Sequence, residues 1–589
     1  MMLFLFKFVI SVIALLAACV VLPQFPLGLL RFVLRGAGWA IRKRTQARRD
    51  AVLARVRADE EVLLSKRPNA ASTSASSGDD EDWEKVDTSS GSNPNLGGSF
   101  GSLCSQKPQQ SGSEKWTGII GFFHPFCNAG GGGERVLWEA VRATQRRWPN
   151  AVCAIYTGDT DVTKAAMLER VQTRFNIPLH APTVELLYLT TRKYVQSSMY
   201  PYMTLLGQSL GSLIVAYDAF TLLAPDIFVD TMGYAFAIAL CKLLFPSVPT
   251  GAYVHYPTIS TDMLQSLDDK SGLKGVNAGA GKGLKGTLKR KYWLAFASLY
   301  GWVGSHVDVV MCNSSWTSAH IRTIWGPARH NPLLSSSPLK YKDPVVVFPP
   351  TAVSEIQSTI PVTRETEATR KPTILYIAQF RPEKNHPLIL RSFARFLERY
   401  KATNHETSSR EGKTEPHLFL IGTVRPSSPD ETHIYNLRLL AHELRIRNNT
   451  TFLCDASWPT ILSHLSTSSI GVNAMWNEHF GICVVEYQAA GLIPVVHDSG
   501  GPREDIVVDL PGLEEGGPSG GATGFRATSE EDFASAFEAA LALSVEEKVA
   551  MRGRARQSAL RFTEEEFSRR WVREVGKLIG MVWSVYSHK

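Results

Sequence analysis

From residue 116 onward, short apolar runs alternate with stretches of helical period, and glycine, proline or asparagine closes most of the runs. Runs at 116–126, 151–157, 227–230, 250–254, 309–312 and 345–348 read as buried strands, and the stretch 135–147 between the first two reads as a helix. A second set of strands follows at 373–378, 418–422, 451–453, 470–473 and 494–497. Strand, loop, helix and strand in that order predict parallel sheets. The fold class is therefore α/β, with two doubly wound domains at 116–350 and 372–562 and a linker at 351–371. The segment 530–586 reads as helical.

The N-terminus has a different pattern. Residues 3–22 are apolar apart from Lys7, Ser11 and a few small residues, close to the ~20 residues that cross a bilayer core. A cleaved signal peptide is the rival reading, but further apolar residues follow. Residues 1–30 are therefore expected to be a single membrane anchor. Arg31, Arg35, Arg42, Lys43, Arg44, Arg48, Arg49, Arg55 and Arg57 crowd behind it and predict a cytoplasmic body. The net charge of +8 comes largely from this cluster. With a hydrophobic segment directly upstream, anionic lipid is a better partner for it than nucleic acid. Residues 31–64 form a basic segment, and 41–62 reads as a helix lying on the membrane surface. Residues 65–115 are rich in serine, glycine, asparagine and acidic residues, which cannot build a core, and read as a disordered linker. The apolar stretch 227–245 reads as a buried strand plus core helix, with a dip into the bilayer surface as the alternative, and 203–224 is similar. The eight cysteines form no C-x-x-C pair, so neither a disulfide framework nor a zinc site is expected.

The chemistry concentrates in MWNEHFGICVVEYQAAGLIPVVHDSGGPRED at 475–505. Glu478 and Glu486 are separated by seven residues, and Gly481 stands between them at the start of an apolar helical run. A glycine before a helix N-terminus makes an anion site, because the unpaired N–H groups and the helix dipole point the same way. Glu486, within the helix, can reach the ribose of a bound nucleotide, and Glu478, before it, can face a sugar. In the other domain four glycines, Gly130 to Gly133, follow the first strand and supply N–H donors to a close ligand. The spacing is not that of a dinucleotide fingerprint. Arg381 and Lys384 follow the first strand of the second domain. The basic, glycine-rich stretch 270–291 lacks the Walker spacing, so no P-loop is read there.

The string at 475–505, the loop HPFCNAGGGGERVLWEAV at 124–141 and AQFRPEKNHPL at 378–388 together resemble the retaining nucleotide-sugar glycosyltransferases of GT-B architecture with an E-x7-E motif. Within that family they are most similar to the α-1,2-mannosyltransferases that extend a dolichyl-diphosphate-linked oligosaccharide on the cytosolic face of the endoplasmic reticulum. The resemblance implies GDP-mannose as donor, Man3GlcNAc2 on dolichyl diphosphate as acceptor, two successive transfers with retention, and no metal cofactor. It implies membrane lipids and other mannosyltransferases of the pathway as partners, and a last helix, 563–589, that crosses back to the first domain. It assigns catalytic roles to Glu478, His255 and Lys384, and donor binding to Arg381, Lys384, Phe480, Gly481, Ile482, Glu486, Gly131 and Gly132. One departure stands out: Ala378-Gln379 replaces the family's Gly-Arg, and Arg381 lies two residues later. The alternatives are another lipid-linked-oligosaccharide glycosyltransferase of the same fold, or a catalytically dead membrane scaffold.

Overall fold

The computed structural model describes residues 24–66, 116–270, 274–331, 341–405, 414–511 and 520–587, apart from 276, 342, 426 and 427. The apolar run at 3–22 and nearly all of the polar segment 65–115 lie outside the described residues.

The first domain is a seven-stranded parallel sheet. Its strands are β1 (Ile119–Phe123), β2 (Val152–Thr157), β3 (Val184–Tyr188), β4 (Ile227–Asp230), β5 (Thr250–Val254), β6 (Val309–Cys312) and β7 (Val345–Val346), in the order β3-β2-β1-β4-β5-β6-β7. The second sheet has β8 (Lys371–Ile377), β9 (His417–Gly422), β10 (Thr450–Cys454), β11 (Ser468–Asn473) and β12 (Ile493–His497). A small hairpin, β13 (Asp509–Leu510) with β14 (Gly521–Ala522), precedes its edge strand β15 (Phe525–Ala527). The second order, β10-β9-β8-β11-β12-β15, has the same doubly wound form. In such sheets the chain leaves in opposite directions on either side of one point, and ligands collect beyond the strand ends there. That point lies between β1 and β4 in the first domain and between β8 and β11 in the second.

Strands β1, β2, β4 and β5 are buried along their whole length, which explains their continuous apolar runs. The stretch 227–245 is a buried strand followed by the helix Ala235–Leu244, most of which is core. The linker region 351–371 carries two short helices, Val353–Thr359 and Arg364–Glu367.

The helix Gln24–Lys66 packs on the first domain. Ile41, Val52 and Val56 are buried in its core, and an ideal Cβ on Gly38 would lie 1.9 Å from the Leu244 carbonyl oxygen. Arg49 pairs with Asp226 at 2.8 Å, and Arg55 pairs with Glu185. The apolar side of 41–62 therefore meets protein, because small and β-branched residues let the helix approach Ala235–Leu244 closely. Among the described residues one helix, Thr204–Leu222, is long and apolar enough to cross a membrane, and 39% of that span is buried in the protein.

The final helix, Glu564–Ser587, returns to the first domain. Phe567, Trp571, Val575 and Leu578 join the core that contains Phe122 and Tyr253. The Trp571 ring stacks on Phe122 at 6.1 Å, and its indole N–H donates to Thr144 at 3.0 Å.

Candidate active site

The site forms where the two switch points face each other. On the second-domain side, β8 leads into the turn Pro382–Lys384, and Asn385 takes a left-handed conformation (φ 51°) that starts the next helix. This geometry turns Lys384 toward the end of β11. Its Nζ lies 2.5 Å from Glu478 Oε2 and 3.2 Å from Met475 Sδ. Asn473, the last residue of β11, donates to the same carboxylate oxygen at 3.4 Å. Burial pushes the Glu478 carboxyl up, but the Lys384 ammonium outweighs it and holds the group below its ordinary value. Burial pulls Lys384 down, and Glu478 in turn raises it above its ordinary value. Both groups are therefore charged at neutral pH.

Two residues after His479, Gly481 has φ 101° and caps the helix Ile482–Ala489. A positive φ there suits glycine alone among common residues. The turn Gly500-Gly501 packs beneath the loop: an ideal Cβ on Gly500 would lie 2.3 Å from the Glu478 carbonyl oxygen, and Gly501 N–H donates to that oxygen at 2.8 Å. One turn into the helix stands Glu486. Burial pushes its carboxyl up to about 7, and the Arg135 guanidinium across the cleft pulls it back.

On the first-domain side, the loop after β1 delivers the glycines. Gly131 N–H donates to Glu134 Oε2 at 2.7 Å, opening the helix Gly132–Arg147. An ideal Cβ on Gly132 would lie 2.7 Å from Ile482 Cδ1, so the glycine loop meets the N-terminus of the Glu486 helix directly. Gly133 lies 3.9 Å, by the same measure, from the His255 ring. His255 follows β5, bonds through Nε2 to the Thr231 carbonyl at 3.1 Å, and is held neutral by burial, its value lowered to about 4.

These contacts thus bring Glu478, Lys384, Gly481, Ile482, Glu486, Gly131, Gly132 and His255 together between the two domains. The Arg381 carbonyl accepts from Lys384 N–H at 3.1 Å, but the Arg381 side chain turns toward Asp430. Its Nε is 4.0 Å from Asp430, a carboxylate that Arg425 already holds at 2.7 Å. The Phe480 side chain is also elsewhere, in the core against Phe348 and Phe562; only its backbone borders the site. Several residues inside the motif strings were given no role by the sequence. Asn477 and His479, on either side of Glu478, touch Asp262, Tyr256 and Trp316 of the first domain. His124, after β1, bonds to Thr231 Oγ1 at 2.7 Å. Among the described residues no group of three His, Cys, Asp or Glu side chains could hold a metal ion.

Comparison with known proteins agrees with this geometry. Residues 117–325 match the family model described as ALG11 mannosyltransferase N-terminus, and residues 362–557 match glycosyl transferases group 1. A Neurospora crassa protein, GDP-Man:Man(3)GlcNAc(2)-PP-Dol alpha-1,2-mannosyltransferase, is 51% identical over 94% of this chain and 93% of its own length. The Homo sapiens protein of the same name is 40% identical over 78% of this chain and 87% of its own. Among solved structures, sucrose-phosphate synthase from Thermosynechococcus elongatus shares the fold, with a TM-score of 0.53 at 13% identity over 79% of this chain and 99% of that one. Two facing doubly wound domains, a site at their switch points and relatives at this identity establish that the chain belongs to the family of GDP-Man:Man(3)GlcNAc(2)-PP-Dol alpha-1,2-mannosyltransferases.

Proposed function

We propose that this protein transfers mannose in α-1,2 linkage from GDP-mannose to Man3GlcNAc2 on dolichyl diphosphate, twice in succession and with retention at the anomeric carbon. The observation that carries the reading is the Glu478–Lys384 pair at the open end of the Ile482–Ala489 helix, with Glu486 one turn inside and the Gly131–Gly132 backbone opposite. The helix N–H groups and Lys384 receive the donor diphosphate and stabilise the charge it gains as the glycosidic bond breaks. Glu486 accepts the ribose hydroxyls. When the diphosphate takes Lys384, the Glu478 carboxylate is released to face the sugar as it acquires oxocarbenium character. Protein cations and N–H dipoles supply the charge, so transfer is expected to proceed without a metal ion.

The acceptor's lipid tail requires a membrane. Leu30 and Phe32 on the N-terminal helix, Leu210 and Ile214 on Thr204–Leu222, and Leu284 and Leu288 on the helix Gly283–Gly304 are exposed apolar side chains. Their three helices all pack on Ala235–Leu244. An exposed apolar surface of this kind supports seating on a bilayer. We place the protein at the endoplasmic reticulum membrane, anchored through its N-terminus with both domains in the cytosol. The test is transfer from radiolabelled GDP-, UDP- and ADP-sugars to a short-chain lipid-linked Man3GlcNAc2, with and without EDTA, and α-mannosidase digestion of the product. GDP-mannose alone should support transfer, EDTA should leave it intact, and α-mannosidase should release two added radiolabelled mannoses per product. Preference for another donor would overturn the substrate reading, and loss with EDTA restored by Mn²⁺ would overturn the electrostatic one.

A further inference from the structure

The loop that carries Glu478 is gripped by the opposite domain. Trp476, two residues before it, meets Gly275, where an ideal Cβ would lie 2.9 Å from the indole ring. Asn477 has a left-handed backbone (φ 52°), and its Nδ2 donates to Asp262 Oδ2 at 2.6 Å. His479, directly after Glu478, stacks on the Tyr256 ring at 4.1 Å and 30°, and lies 5.6 Å from Trp316. Gly275, Asp262, Tyr256 and Trp316 all belong to the first domain, whereas Glu478 and its ion-pair partner Lys384 belong to the second.

Asp262 is the centre of this contact. It also accepts from Trp316 Nε1 at 3.2 Å, and it faces His320 Nε2 at 3.4 Å. His320 is fixed by Thr261 at 2.7 Å. Close by, Ser315 N–H at the start of the helix Ser315–His330 donates to Asp505 of the second domain at 2.8 Å. A strained backbone held by charge-assisted hydrogen bonds from another domain is an arrangement that functional loops favour.

We propose that Asp262, with Tyr256 and Trp316, is an interdomain latch that positions Glu478: the glutamate reaches its working place only when the domains have closed on Asn477 and His479. The inference rests on the transferase reading above and adds a set of positioning residues to it. Neither Asp262 nor Tyr256 needs to touch the reacting sugar; each acts through a chain neighbour of Glu478. Opening the latch leaves the nucleotide-binding elements of the second domain, Ile482–Ala489 and Glu486, intact. The consequence is a separation of turnover from nucleotide binding.

The test uses the full-length protein in detergent or nanodiscs, with GDP titrated by calorimetry and single-turnover mannose transfer measured per GDP-binding site. In Asp262→Ala, transfer should fall about tenfold or more while GDP affinity changes less than about twofold. Asp262→Asn, which keeps an acceptor for Asn477, should retain most of the rate. His479→Phe, which keeps a stacking ring, should stay near the parent, whereas His479→Ala should lose rate as Asp262→Ala does. A spin label in each domain should report a broader interdomain distance in both alanine variants with GDP bound. Normal transfer per site in both alanine variants would overturn the latch. So would equal losses in the conservative and alanine variants, or an unchanged distance distribution. If Asp262→Ala does not fold, the two His479 variants decide. Because GDP binding is read separately, failure of the transferase reading itself would appear as loss of GDP binding or of transfer in the parent protein.

Discussion

Glu486 has its carboxyl raised to about 7 by burial, with Arg135 pulling it back, and this makes nucleotide binding depend on pH. Its folded value lies above its ordinary 4.5. Its contribution to the stability of the ligand-free protein is therefore fully present below about 4.5 and is lost as pH rises through about 7. If the ribose is held by the carboxylate, binding must remove a proton below that point. GDP affinity should fall about tenfold for each pH unit below about 7 and level off above it. His255 and His479, both lowered to about 4 by burial, are neutral across that range and add no slope. Glu486→Gln should flatten the slope and weaken binding at pH 8 by a few kcal/mol, at about 1.5–3 kcal/mol per charge-assisted hydrogen bond. Calorimetric titrations at pH 6, 7 and 8 read both effects; an unchanged slope in the variant would remove Glu486 from the ribose site. Glu478→Gln should behave differently. It keeps the bond geometry but loses the charge that faces the sugar, so kcat should drop at least a hundredfold, on the scale of a lost electrostatic stabiliser, with GDP affinity little changed. Near-normal turnover in the folded variant would leave Glu478 as no more than the ion-pair partner of Lys384.

At the level of elements, the meeting of the glycine loop with the Ile482–Ala489 helix is a packing claim that a double-mutant cycle can check. A methyl at Gly132 would press on Ile482 Cδ1 at 2.7 Å, which is the flexible end of one side chain. Gly132→Ala should therefore cost no more than about 1–3 kcal/mol of donor binding or stability. Ile482→Val, which deletes Cδ1, should recover most of it in the double variant; purely additive effects would mean that the two elements do not touch. This contact shows what the chain pattern could not reveal. Glu478, Gly481 and Glu486 were legible because glycine, apolar period and carboxylate fall within one short string. The strands β4, β5 and β6 were legible because their apolar runs are buried on both faces. Strand β3 escaped, since the charged Glu185, its second residue, breaks the apolar run. The direction of the Phe480 side chain was not legible: a motif gives its position beside the site, but Phe348 and Phe562 claim the ring for the core. The Asp262–Asn477 bond joins residues 215 apart in the chain, and only the facing of two sheets brings them together.

For the molecule as a whole, the last helix makes the two domains interdependent. Arg135 and Arg142 of the glycine-loop helix both pair with Glu564 at the start of Glu564–Ser587, the former at 2.5 Å and the latter at 3.1 Å. Further along, Trp571 is fully buried between Phe122, Phe567 and Tyr253. The first sheet thus completes its core with residues that follow the second domain in the chain. Trp571→Ala should remove about 3–5 kcal/mol of stability, as deletion of a large buried aromatic does. The loss should fall on the first domain, although residue 571 comes after all of the second. Amide exchange can locate it: protection should drop in β1, β2 and the helix Gly132–Arg147 and persist in β8 and β11. If exchange rose first in the second sheet, the crossing helix would be a support for its own domain and not the completion of the first domain's core.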